Sequence, residues 1–135
     1  MTPSDINLTL VNPAYMTRQV HELALEQYGN RGHITSLNPL RPENRADPWE
    51  TKALCAFEEG VTEVSSLEVI GDLEYFRLMR PMVTEESCLK CHADQGYRVG
   101  DIRGGISVSV LMSPLRTIER RAMFVVVLDL SLIHI

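Results

Sequence analysis

Two periods of apolar and polar residues alternate along this chain, and the switches between them mark its elements. After Asn12-Pro13 a helical period runs to about residue 28 and puts Met16, Val20, Leu23 and Gln27 on one face, with Ala24 beside them. Gly29 and Gly32 are its stop signals. Residues 33–37 are rich in β-branched types and read as a short strand. A Pro/Asn/Arg loop covers residues 38–47. Asp47-Pro48-Trp49-Glu50 then opens a helix: Asp47 can cap it, Pro48 suits its first position, and Glu50 can reach back to close a capping box. Trp49, Ala53, Ala56 and Phe57 share a face of that helix, and Gly60 stops it.

The second half is mostly strand-like. Residues 61–64 and 67–70 read as two short strands, and residues 73–82 as a longer one. In the longer strand Phe76 and Leu78 share one side, and Tyr75, Arg77 and Met79 the other. Residues 84–100 show little periodicity. Residues 101–112 form the most regular strand, in which Ile102, Ile106, Val108, Val110 and Met112 alternate with Arg103, Gly105, Ser107, Ser109 and Leu111. Ser113-Pro114 begins a last helix. This order predicts an α+β domain: an antiparallel sheet with flanking helices.

Composition narrows the class. The chain has 135 residues, enough for one compact domain. With 44% hydrophobic and 23% charged residues it is globular in character rather than disordered. The net charge of −5 argues against nucleic acid as a partner, because phosphate binding needs a basic surface. Three cysteines do not make a disulfide framework.

Both ends suggest a piece of a longer protein. Residues 1–10 show no basic and apolar run of a signal peptide. Arg120-Arg121 precede Ala122-Met123-Phe124-Val125-Val126-Val127-Leu128, which reads as an exit helix opening into a truncated membrane segment over residues 116–129. Asp129 fits poorly inside such a segment. Residues 130–135 resemble a translated sequencing adaptor, so His134 is set aside as a site residue.

The chemistry concentrates in Cys88-Leu89-Lys90-Cys91-His92, the C-x-x-C-H spacing of covalent haem attachment. Two thiols three apart add to the two vinyl groups of haem, and the next histidine supplies the proximal nitrogen to iron. At this composition a chance match arises on the order of once in five hundred chains, so the motif outweighs its rivals. Zinc needs further ligands, and Cys55, His21 and His33 form no spaced partner motif. A thioredoxin-like pair belongs at a helix start after a strand, not in a late polar loop. For a sixth ligand Met16, His21, His33, Cys55, Met79 and Met82 carry suitable atoms, with an open position as the alternative. Haem propionates call for cations, with Arg41, Arg45, Arg80, Arg98 and Arg103 as candidates, and Tyr97 can pack on the macrocycle edge.

An ordered set of segments then makes a resemblance specific. Asn12-Pro13-Ala14-Tyr15-Met16, His33-Ile34-Thr35-Ser36-Leu37, Arg41-Pro42-Glu43-Asn44 and Asp47-Pro48-Trp49-Glu50 come first. Arg77-Leu78-Met79-Arg80-Pro81, the haem motif, and Gly100-Asp101-Ile102-Arg103-Gly104-Gly105-Ile106-Ser107-Val108 follow. Over residues 11–115 the chain resembles the periplasmic PAS-like c-type-haem sensor domains that stand before histidine kinases and chemoreceptors. The resemblance implies a PAS-like sheet, haem c held by Cys88, Cys91 and His92, and a distal position that varies between members. Met16 is the place for a family-type methionine ligand to the iron, and Arg80 the expected propionate contact.

The expectation is therefore an extracytoplasmic signal-input domain of an inner-membrane protein. It would sense redox state or a small ligand and pass the signal through its own membrane helix to an absent output domain, with a homodimer as one assembly. A monohaem electron-transfer cytochrome is the alternative. No paired acid and base flank the motif, so enzymatic activity is not expected.

Overall fold

A computed structural model describes residues 13–133, with side chains through residue 125. The helix signal at Asn12 lies outside the described residues, as do the side chains of the tail from residue 130.

The chain runs α1 (Pro13–Tyr28), β1 (Arg31–Thr35), α2 (Pro48–Glu58), β2 (Val64–Ile70), β3 (Leu73–Val83), α3 (Leu89–His92), β4 (Ile102–Leu111) and α4 (Ser113–Ile133). All pairings are antiparallel, in the order β1-β4-β3-β2. This is the α+β architecture the pattern predicts, with the PAS-like sheet the resemblance implies, and its most regular strand lies inside the sheet. Of the two short strands expected at 61–64 and 67–70, residues 61–63 lie outside the sheet, and Val64–Ile70 is one strand. Ser65 and Ser66 interrupt the apolar pattern but not the ladder, where they face Leu78 and Arg77.

α2 begins as its sequence dictates. Asp47 Oδ1 accepts from the Glu50 amide at 2.8 Å, and Glu50 Oε2 accepts from the Asp47 amide at 3.0 Å. Its Ala53, Leu54 and Phe57 are buried together with Met79, and Trp49 and Val64 pack around them. Leu54 was not on the expected face, but the apolar stripe of a core-facing helix is broader than a two-residue seam.

The covered side of the sheet is the less apolar one. Glu50 and Trp49 of α2 bond to His33, Ser107 and Ser66, so α2 lies on the face bearing His33, Thr35, Tyr75, Arg77, Met79, Gly105, Ser107 and Ser109. A Cβ on Gly105 would stand 2.5 Å from Met79 Cε and 3.0 Å from the Arg80 carbonyl oxygen, so glycine lets these layers close. The more apolar face, with Leu67, Val69, Phe76 and Val108, stays substantially exposed.

α1 lies against β1. Gly32 is part of that strand rather than a helix stop, because the His21 ring occupies the space of a Cβ there. Gly29 alone ends the helix, at φ +69°. The contact side of α1 holds half-buried Thr17, His21 and Ala24, while Met16, Val20 and Leu23 of the expected apolar stripe are exposed. α4 is tied to β3 at its root: Arg116 Nε and Nη2 donate to the Glu74 carboxylate at 3.0 and 3.2 Å. No helix among the described residues is long and apolar enough to cross a membrane.

Candidate cofactor site

The Cys/His motif sits in the connection from β3 to β4. That connection closes at a neck, where the Thr84 amide donates to the Asp101 carbonyl at 2.8 Å and the Gly100 amide to the Thr84 carbonyl at 2.9 Å. Gly96 and Gly100, at φ +86° and +95°, turn the chain back where a side chain would be strained. Within it a 3-10 turn over Glu86–Cys88 leads into the single α-turn Leu89–His92. Helical spacing places Cys88, Cys91 and His92 along one side of that turn. Cys88 is half-buried and Cys91 exposed, and both are free thiols.

His92 is held on two sides. Its Nδ1 meets Gln95 Oε1 at 2.5 Å, while Gln95 Nε2 donates to the Asn38 carbonyl at 3.4 Å. With the amide nitrogen so engaged, the oxygen faces the ring, and Nδ1 carries the proton. That leaves Nε2 as the donor atom for a metal, the usual arrangement in which a ligating histidine is oriented through its other nitrogen. Tyr97 stands edge-on to the same ring, with centroids 6.5 Å apart. Gln95 was not singled out in the sequence, and only its place three residues after His92 could have suggested it.

These residues suit a group that brings its own equatorial ligands. No cluster of three or more His, Cys, Asp or Glu among the described residues could hold a metal ion unaided. Two thiols and one imidazole on a single turn, in contrast, match the attachment chemistry of haem. A further observation points the same way. Arg103 follows the loop, its Nε is buried without a partner, and its Nη2 reaches only the Met82 sulfur at 3.8 Å. A guanidinium without a carboxylate favours an anionic neighbour. Arg80, the cation preferred from sequence, already pairs with Glu63 at 2.7 Å on the surface.

The candidate sixth ligands separate clearly. Met16 is 56% exposed on α1. Met79 is fully buried under α2, and Cys55 lies on the outer side of that helix. Met82 faces Arg103. His21 is wedged against Gly32, and burial, with the nearby His33 second, lowers its pKa. His33 has both nitrogens engaged, Nδ1 with the Glu50 carboxylate at 2.9 Å and Nε2 with the Glu43 carbonyl at 2.9 Å.

His33 belongs to a second polar centre, under α2. Both its partners there only accept, so the ring satisfies them as an imidazolium. The hydrogen bond to Glu50 raises its pKa against the opposing effect of burial. Glu50 is 1% exposed. Burial pushes its carboxyl up, but His33, Ser107 and the Asp47 amide together outweigh that and hold it below the usual value. Arg77, 6% exposed, stacks over Trp49 at 4.3 Å and donates to Asp47 Oδ2 at 2.7 Å. Glu50 was legible in the sequence only as a capping residue, because its other partners come from strands far along the chain.

Residues 1–110 match the family described as Tll0287-like. No curated protein matches the chain. Among solved structures, the crystal structure of the cyanobacterial haem protein Tll0287 is similar at 21% identity and a TM-score of 0.57. That similarity covers 70% of this chain and 68% of the other.

Proposed function

The chain belongs to the Tll0287-like family, and from that membership we propose that it is an extracytoplasmic signal-input domain carrying one covalent haem c. Cys88 and Cys91 form the two thioether links, and His92 supplies the proximal nitrogen through Nε2. Arg103 receives a propionate. The haem iron contributes a reversible change of oxidation state or the uptake of a small ligand. The observation that carries this reading is the single turn bearing both thiols and the imidazole, with Nδ1 of His92 fixed by Gln95.

The chain's own residues then have distinct tasks. Gln95 keeps the His92 ring in one tautomer and one orientation. The neck at Thr84 and Asp101 couples the loop to β3 and β4. β4 continues into α4, whose root is fastened to β3 by Arg116 and Glu74. A change of contacts at the loop thus has a short covalent route to the helix that would lead to a membrane segment and an output module, a kinase or chemoreceptor.

Expression with a haem-maturation system, followed by a pyridine haemochrome spectrum and intact mass, tests attachment. One covalent haem per chain is expected, lost in the double variant Cys88→Ala/Cys91→Ala. Absence of covalent haem in the unaltered chain refutes the proposal. Amide-exchange maps of the oxidised and reduced forms test signalling. Identical protection at α4 in both forms, with no ligand uptake, would favour a plain electron carrier.

A further inference from the structure

The buried polar centre under α2 borders a cavity of about 160 Å³. Arg31, Ser109 and Arg77 stand in one cross-strand row there, on β1, β4 and β3. Arg31 and Arg77 thus flank Ser109 from the two strands beside β4, so two cationic side chains share one row with a single hydroxyl between them.

Of the two arginines, only Arg77 meets carboxylates among the described residues, Asp47 Oδ2 at 2.7 Å and Glu50 Oε1 at 3.5 Å. Glu50 Oε1 accepts from Ser107 Oγ at 2.5 Å and also meets His33, and Oε2 accepts from His33 and the Asp47 amide. Asp47 Oδ1 is taken by the Glu50 amide, and Oδ2 by Arg77. Every carboxylate oxygen at the cavity therefore already has a donor. Unused donor capacity stands on the two arginines. Arg77 Nε is buried without a partner. Arg31, exposed at the cavity mouth, lies over the Tyr75 ring at 5.2 Å and forms no ion pair among the described residues. With His33 as imidazolium, the lining holds three cationic groups against the two carboxylates. A buried donor left unpaired is costly, and an anionic acceptor relieves it.

We propose that this cavity binds a small carboxylate monoanion, its carboxylate between Arg31 and Arg77 over Ser109 and its short tail toward Ile70. The volume is about five waters' share of liquid, which suits a carboxylate with roughly one to three further carbons. Ile70 is the apolar residue of the lining that a tail can meet. The site is separate from the Cys/His loop, since Arg77 lies about 20 Å along β3 from the strand end that feeds it. It is close to α4, because Ser109 stands near the end of β4. The proposal does not depend on haem attachment, which the haemochrome spectrum judges separately.

The test uses the full chain with whatever haem it carries. Melting curves and calorimetric titrations are run with sodium acetate, propionate and butyrate up to about 50 mM. Sodium chloride at equal ionic strength, sodium nitrate, sodium phosphate and propionamide serve as comparisons. A saturable rise in Tm with at least one carboxylate, and none with propionamide, is expected. Arg31→Gln removes one charge-assisted contact at an exposed position and should weaken binding by roughly ten- to a hundredfold, with the ligand-free Tm unchanged. Ser109→Ala is the second variant, with a weaker loss expected. The proposal fails if no carboxylate gives a saturable response, if both variants bind as the unaltered chain does, or if nitrate or phosphate binds and the carboxylates do not.

Discussion

Single residues in this protein take their meaning from partners far away in the chain. Glu50 closes a capping box three residues from Asp47, and the same carboxylate accepts from His33 and Ser107. Removing its charge leaves a buried imidazolium and a buried guanidinium with less to face. Glu50→Gln is therefore expected to cost about 3 kcal/mol, the lower end for breaking a buried ion pair. A fall in the urea midpoint at constant m value checks it, and a change under 1 kcal/mol would contradict the network. Gln95 plays the corresponding part for His92, on the other side of the loop neck. The role of Glu50 could not be read from periodicity, because His33 and Ser107 are brought to it only by folding, whereas Gln95 reaches His92 from three residues away and is anchored by the distant Asn38 carbonyl.

At the scale of elements, local signals and tertiary demands part company. α2 starts where its caps say, and Asp47→Ala should cost about 1 kcal/mol through the lost cap, plus whatever Arg77 loses. Thermal unfolding of the variant measures it, and Asp47→Asn should recover most of the cap but not the ion pair. β4 is different. Its regular alternation marks a strand without saying which face is covered. α2 covers the face of Gly105, Ser107 and Ser109, where small side chains admit a helix and a hydroxyl meets Glu50. Gly105→Val should overpack this layer by about 1–3 kcal/mol, seen as a lowered Tm, because the Arg80 backbone cannot give way as the Met79 side chain can. The apolar stripe of α1 misled in the same manner: His21 rather than Val20 or Leu23 faces the strand, since Gly32 opposite leaves a recess for a ring.

Two histidines give the whole molecule opposing pH dependences, one on each side of their ordinary pKa. His33 has its folded pKa raised above the ordinary 6.5, so its contribution is complete below that pH and is lost as the pH rises through the folded value. His21 is shifted the other way, so its contribution is complete above 6.5 and lost as the pH falls. Glu50, held below its ordinary 4.5, adds a further loss at still lower pH. Chemical denaturation across pH 4–9 is expected to show a dome, and His33→Gln should flatten only its alkaline side. A profile rising monotonically to pH 9 would overturn the assignment. The sequence by itself determined the class of fold, the start of α2, and the Cys88, Cys91 and His92 motif on which the haem proposal rests, because caps, periods and a C-x-x-C-H spacing are properties of neighbours within a few residues. Only the tertiary structure decided which sheet face is covered, which arginine lacks a carboxylate, and which nitrogen of His92 is open. Those depend on β4 lying between β1 and β3, which brings residues 31, 77 and 109 into one row and leaves the loop at residues 84–101 beyond the sheet's end.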